Sequence, residues 1–236
     1  MSSIHPAIVA QHSSAPLPQP WLERAWSAGS APRSEDLIEL IRSSGQTARL
    51  ERDEMLFCEG DDGEALYVIL SGTVRCCKVL ADGRRQIIGF YQAGDLLGLS
   101  LGDVYFYSAE AVTPVRLRRL GRVQLETMMD ERPQLRRRLF SIAAGELAAA
   151  QNQMLLLGRK TARERICTFL LGRAGSDGAV ELPMSRTDIA DYLGLTIETV
   201  SRTLSQLRSA GLVRMSGLSS LELTDPDRLS DMAEAA

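Results

Sequence analysis

The sequence is short of the residues on which most catalytic and redox chemistry depends. Of its 236 residues two are histidine, His5 and His12, and four are cysteine, Cys58, Cys76, Cys77 and Cys167. No phosphate-cradling glycine loop and no nucleophile motif appears, so an enzyme is not expected. No apolar run approaches the roughly 18 to 20 residues of a membrane span, and no basic stretch followed by an apolar core opens the chain. A cytoplasmic location with no membrane partner is the expectation, and the four cysteines read as reduced thiols.

Charge is also nearly absent as a whole-molecule property, at -3. Its distribution says more. Residues 159–217 carry nine Lys or Arg against six Asp or Glu, whereas 218–236 carry one Arg against five acids. A basic segment therefore lies inside an acidic average.

Residues 1–33 hold Ser, Ala, Pro and Gln without a reliable period and read as a flexible N-terminal arm. Leu37 to Ile41 suggests a short amphipathic helix. From Arg49 to Leu120, short runs rich in Val, Ile, Leu and Tyr alternate with the turn signals Gly60-Asp-Asp-Gly63, Ser71-Gly72, Asp82-Gly83 and Ala93-Gly-Asp95. This pattern predicts an antiparallel sandwich or barrel over 34–132, with a hairpin at Asp82-Gly83.

Beyond Val123 the period becomes helical, and Pro133 is placed to open a long helix over 133–158. Phe140, Ala143, Leu147, Ala150, Met154 and Leu157 recur at alternating steps of three and four, the seam of a coiled coil, while Leu135, Leu139 and Ile142 form a second row. Two apolar faces require two partners. The chain's own sheet domain can supply one, and a second copy of the chain the other, giving a homodimer; burial of the whole helix inside one domain is the competing reading.

Residues 159–236 carry the strongest pattern. Ser185 with Asp188 makes an N-cap pair for a helix ending near Leu193, Gly194 supplies a turn, Thr196 caps the next helix, and Gly211 follows its end. Val200, Leu204 and Leu207 form the inward stripe, so Glu198, Ser201, Arg202 and Ser205 face outward. Leu212–Met215 and Leu221–Leu223 predict a small hairpin beside these helices, completing a winged helix-turn-helix.

An outward polar face at the start of a second helix suits a DNA major groove. Arg202 can donate to guanine O6 and N7, Glu198 can accept from a cytosine amino group, and Ser201 can do either. Ser185, Arg186, Thr196, Thr199 and Ser205 are candidates for backbone phosphates. An ordinary surface pair between Glu198 and Arg202 is the alternative.

Glu59-Gly-Asp61 with Leu66-Tyr67, Leu70-Ser-Gly-Thr-Val-Arg75, Asp82-Gly83, Gly94-Asp-Leu-Leu-Gly98 and Glu198-Thr-Val-Ser-Arg202 together resemble the CRP/FNR family of bacterial regulators, over about residues 37–224. The resemblance implies an α+β protein: an antiparallel β-roll like a cyclic-nucleotide-binding domain, a dimerisation helix, and a winged helix that binds a two-fold symmetric site on double-stranded DNA and recruits RNA polymerase. Ile197 and Ser201 flanking Glu198 and Arg202 resemble the FNR branch, which implies half-sites of the TTGAT kind.

The sensor positions of that family are changed. Where the cyclic-AMP branch has a phosphate-binding Glu and an Arg-Ser pair, this chain has Leu99 and Tyr107-Ser108, and the bidentate phosphate partner is lost. No cysteine precedes Cys58, as a cluster of the FNR kind would need, and both histidines lie in the arm, away from a haem site. Neither cofactor nor metal is expected, which resembles the FixK type, a regulator of microaerobic and nitrogen-fixation genes. A roll that binds an unidentified small molecule is the rival. Cys167, beside Arg163 and Arg165, is a redox-sensitive candidate if exposed and an inert thiol if buried.

Overall fold

The computed structural model describes residues 35–100, 103–217 and 219–234, so the arm predicted over 1–33 lies outside the described residues. Two four-stranded antiparallel sheets form the roll, in the orders β1-β8-β3-β6 and β2-β7-β4-β5. The strands are β1 (Gln46–Leu50), β2 (Met55–Phe57), β3 (Ala65–Ser71), β4 (Val74–Val79), β5 (Arg85–Tyr91), β6 (Leu96–Leu97), β7 (Ser108–Ala111) and β8 (Val115–Gly121). The Asp82-Gly83 hairpin is present between β4 and β5, with Gly83 at φ 83°.

The two-residue period of a strand explains how one sheet serves two cores. In β3, Ala65, Tyr67 and Ile69 enter the roll interior, while Leu66 and Val68 face helix α1 (Glu35–Ser44), α2 (Arg122–Glu131) and the start of α3 (Gln134–Arg159). Leu135 and Leu139 of α3 are buried in that second core with Leu37 and Ile41 of α1. Each such leucine contributes about 1.5–3 kcal/mol. At Gly72 a side chain is sterically barred: φ is 93°, and a Cβ would lie 2.3 Å from the Pro114 carbonyl oxygen.

β4 divides its side chains in the same way. Val74 and Cys76 belong to the roll interior, whereas Cys77, across a register shift, joins Ile87 in the core of the C-terminal domain. That domain comprises α4 (Ala162–Arg173), β9 (Ala179–Glu181), α5 (Arg186–Leu193), α6 (Ile197–Ser209), β10 (Val213–Met215), β11 (Ser220–Leu223) and α7 (Pro226–Glu234). The wing has three strands, β10-β11-β9, one more than the hairpin read from sequence. α7 was also not anticipated; it packs on α4 through Leu229 and Ala233.

The 26-residue α3 spans about 39 Å. Its inner row Leu135, Leu139 and Ile142 lies against the roll, as the two-row pattern requires. Along the other row Phe140 (78 % exposed), Leu147 (62 %), Ala150 and Met154 (72 %) face outward, and Ala143 is half-buried. Leu157 departs from that row: it is half-buried, and a Cβ on Gly194 would meet its Cδ2 at 3.4 Å. Among the described residues no helix is long and apolar enough to cross a membrane.

Candidate nucleic-acid interface

Local hydrogen bonding sets both helices of the reader. At α5 the Ser185 hydroxyl accepts from the Asp188 amide (3.0 Å) while the Asp188 carboxylate accepts from the Ser185 amide (3.0 Å), a reciprocal capping box. Gly194 ends α5 in the left-handed region, φ 60°. Thr196 then caps α6, its hydroxyl accepting from the Thr199 amide at 3.2 Å. Gly211, φ 71°, follows the C-terminal end of α6.

α6 divides into two faces. Val200 and Leu207 are buried and Leu204 half-buried; Thr203 joins the inward side, a position the apolar pattern did not mark. Glu198, Arg202 and Ser205 are exposed and Ser201 is half-buried. Among the described residues no ion pair joins Glu198 to Arg202, and both side chains are exposed on the outer face of α6. Arg186, at the start of α5, donates from Nη1 to the Ser201 hydroxyl at 3.2 Å.

The remaining phosphate candidates lie around these helices. Ser185, Arg186 and Thr196 are exposed and Thr199 is half-buried. The Ser185 hydroxyl also donates to Asp188 Oδ2 at 2.8 Å, so its proton is engaged within the cap.

One side chain ties the reader to the long helix. Arg165 of α4 donates from Nη2 to the Leu157 carbonyl at the end of α3 (2.7 Å), from Nε to the Lys160 carbonyl in the linker (2.9 Å), and from Nη1 to the Leu193 carbonyl at the end of α5 (2.8 Å). A guanidinium with five donors and no acceptor suits three converging carbonyls, and its charge offsets the negative ends of two helices. Sequence reading noticed Arg165 only as a neighbour of Cys167.

Cys167 itself is fully enclosed in the C-terminal core, and burial pushes its thiol up to about 11. That is the inert-thiol arrangement, in which the thiolate needed for oxidation is not populated near neutral pH. Cys76 and Cys77 occupy different cores, as adjacent residues on a strand must.

The positions that the family resemblance equates with ligand-binding residues make contacts within the protein. Tyr107 is buried in the roll beside Phe57, ring centroids 5.6 Å apart, and its Oη accepts from the Gly98 amide at 3.2 Å. The Ser108 hydroxyl accepts from the Glu59 amide at 2.9 Å, and Leu99 packs against the core under α1 to α3.

Comparison with known proteins agrees with these two halves. Residues 47–132 match the cyclic nucleotide-binding domain, and residues 164–232 the Crp-like helix-turn-helix domain. The chain is 42 % identical over 200 residues to the nitrogen fixation regulation protein FixK of Bradyrhizobium diazoefficiens, covering 81 % of this chain and 83 % of that protein. It is also 42 % identical over 217 residues to FixK of Azorhizobium caulinodans, covering 88 % and 87 %. The solved structure of FixK2 from Bradyrhizobium japonicum superposes with a TM-score of 0.78 at 42 % identity, over 81 % of this chain and 98 % of that one.

Proposed function

This chain belongs to the CRP/FNR family of transcription regulators, in its FNR/FixK branch, and on that premise we propose that its dimer reads a TTGAT-N4-ATCAA palindrome with two copies of α6 and activates transcription by recruiting RNA polymerase. The observation that carries the reading is the uncommitted pair Glu198 and Arg202 on the exposed face of a doubly capped helix. Arg202 donates to the guanine and Glu198 accepts from its paired cytosine, while Ser201 faces the outer thymines. Arg186, Thr196, Thr199 and Ser205 supply the phosphate contacts that set affinity and its salt dependence, whereas Ser185, whose hydroxyl and amide protons are both bonded to Asp188, serves as the cap and is withdrawn from that set.

The homodimer forms along the outer row of α3, from Phe140 through Ala143, Leu147 and Ala150 to Met154, with Leu157 at its edge. A row of large apolar side chains left this exposed on one helix is the face that a second copy buries.

The roll works without a bound cofactor or nucleotide. Tyr107 is buried in its core, and the Gly98 amide, a donor that would otherwise be free for an anion, is bonded to Tyr107 Oη. Two FixK relatives carry the name nitrogen fixation regulation protein, which supports nitrogen-fixation genes as targets of this chain; control of low-oxygen genes is part of the same proposal.

The test is direct binding of purified, ligand-free protein to a TTGAT-N4-ATCAA duplex, compared with Arg202→Ala. The variant is expected to lose about 1–3 kcal/mol per half-site while weak non-specific binding survives. Equal affinity of the two proteins overturns the assignment of Arg202, and binding that requires an added small molecule overturns the cofactor-free roll in favour of a ligand-gated one.

A further inference from the structure

A buried ionic cluster joins the roll to the reader. Asp188 of α5 is 3 % exposed and faces two guanidinium groups of the roll: Arg75 Nη1 of β4 lies 3.3 Å from its Oδ1, and Arg85 Nη2 of β5 lies 2.7 Å from it. Arg85 Nε also donates to Asp191 Oδ2 at 3.0 Å, one turn along α5. Arg75 in turn donates from Nε to Glu110 of β7 at 3.1 Å and pairs it through Nη2 as well. Arg75 Nη2 also lies 3.3 Å from Asp53 Oδ1, so the two guanidiniums face four carboxylates, of which Asp188 and Glu110 are the more enclosed and Asp191 and Asp53 the more exposed.

The same Asp188 carboxylate closes the capping box with Ser185, so one group serves the local start of α5 and the contact with a strand more than a hundred residues earlier. Around the cluster lies an apolar bed in which Phe90 of β5 meets Tyr192 of α5, ring centroids 5.5 Å apart. Apolar contact is non-directional and permits sliding. A set of short ion pairs between fixed backbones is directional, and fixes orientation.

Orientation matters because the reader has a single covalent tether. The C-terminal domain is connected to α3 through Lys160, which has extended backbone, φ -88° and ψ 144°. A body held at one point can pivot about it; further anchors limit that freedom, and here they are the Arg85 pairs together with Gln86 of β5 and Gln153 of α3, whose amides both donate to the Tyr192 carbonyl at 3.2 and 2.8 Å. In a dimer the pivot angle sets the separation of the two α6 helices, and hence the half-site spacing that both can engage.

We propose that Arg85 is a positioning residue that fixes the half-site spacing accepted by the dimer, through its pairs with Asp188 and Asp191. The proposal rests on the reading of a two-fold site by two copies of α6.

The experiment measures affinity of the full-length protein for TTGAT palindromes with spacers of four and of five base pairs. Wild type is expected to prefer the four-base-pair spacer strongly. Arg85→Gln narrows that preference about tenfold, chiefly by weakening the four-base-pair complex, and Arg85→Lys, which keeps the charge, recovers part of it. An unchanged preference in folded, dimeric Arg85→Gln, or an equal loss on both duplexes, overturns the proposal. Should Arg85→Gln not fold, Asp191→Asn is read by the same criteria, because Asp191 is a more exposed anchor of the same guanidinium. Absence of any spacing preference in wild type overturns the palindrome reading instead.

Discussion

Arg186 Nη1 and Ser201 Oγ lie 3.2 Å apart, linking the first helix of the reader to the middle of the second. Arginine carries donors only, so the serine oxygen accepts, and its one proton is left to point elsewhere. A hydroxyl held in that state has its proton directed away from Arg186 and available to thymine O4, an acceptor, while one of its two lone pairs is already taken.

Arg186→Ala therefore has two expected effects. Loss of a phosphate contact lowers the salt slope of binding by about one. Release of the Ser201 hydroxyl relaxes discrimination of thymine from cytosine at the outer positions. Anisotropy titrations of both duplexes over a range of salt separate the effects, and undiminished discrimination argues against the coupling.

Leu147→Glu on the outer row of α3 is expected to convert the dimer to monomers without unfolding the roll, because the side chain is exposed in the single chain. Removal of one leucine from the seam costs about 1.5–3 kcal/mol per copy, and the added charges repel. Sedimentation equilibrium checks the mass. A stable dimer would relocate the interface to another face.

Burial raises the carboxyl of Glu146, on the inner side of α3, from 4.5 to about 7, with repulsion from Asp95 adding to it; burial also raises Asp95 to about 6. A carboxyl whose folded pKa exceeds its unfolded pKa favours folding while protonated. That contribution is whole below the unfolded pKa near 4.5 and is lost as the pH rises through about 7. The thermal midpoint of wild type is expected to fall between pH values of about 5 and 8, and Glu146→Gln to fall less over the same interval. Parallel curves for the two proteins would contradict the assignment.

Ser185→Ala removes the hydroxyl that accepts from the Asp188 amide and donates to its carboxylate. A loss of about 0.5–2 kcal/mol in urea unfolding is expected. Since Asp188 also faces Arg75 and Arg85, the double variant Ser185→Ala with Arg85→Gln is expected to depart from additivity; strictly additive losses would show the cap and the ionic cluster to be independent.

Much of this architecture is legible from local chemistry. The α5–α6 unit follows from Ser185, Gly194, Thr196 and Gly211, each of which acts within a few residues of its own position. The β4–β5 hairpin follows from Asp82-Gly83 for the same reason. What sequence did not disclose depends on distant partners. β9 has three residues and gains its strand pairing from β11, beside a single bridge to Ala174, and α7 is held by α4. The role of Arg165 resides in three carbonyls from separate elements, and that of Asp188 in guanidiniums on a different domain. A capping motif reveals one duty of a carboxylate and conceals the other.

The placement of Cys76 and Cys77 turns neighbouring thiols into separate gauges of opening. A thiol reagent reaches Cys77 when the roll parts from the reader, Cys76 when the roll itself breathes, Cys167 when the winged domain loosens, and exposed Cys58 at once. The native chain thus carries its own time-resolved footprint of which interface yields first, readable by mass without any introduced label.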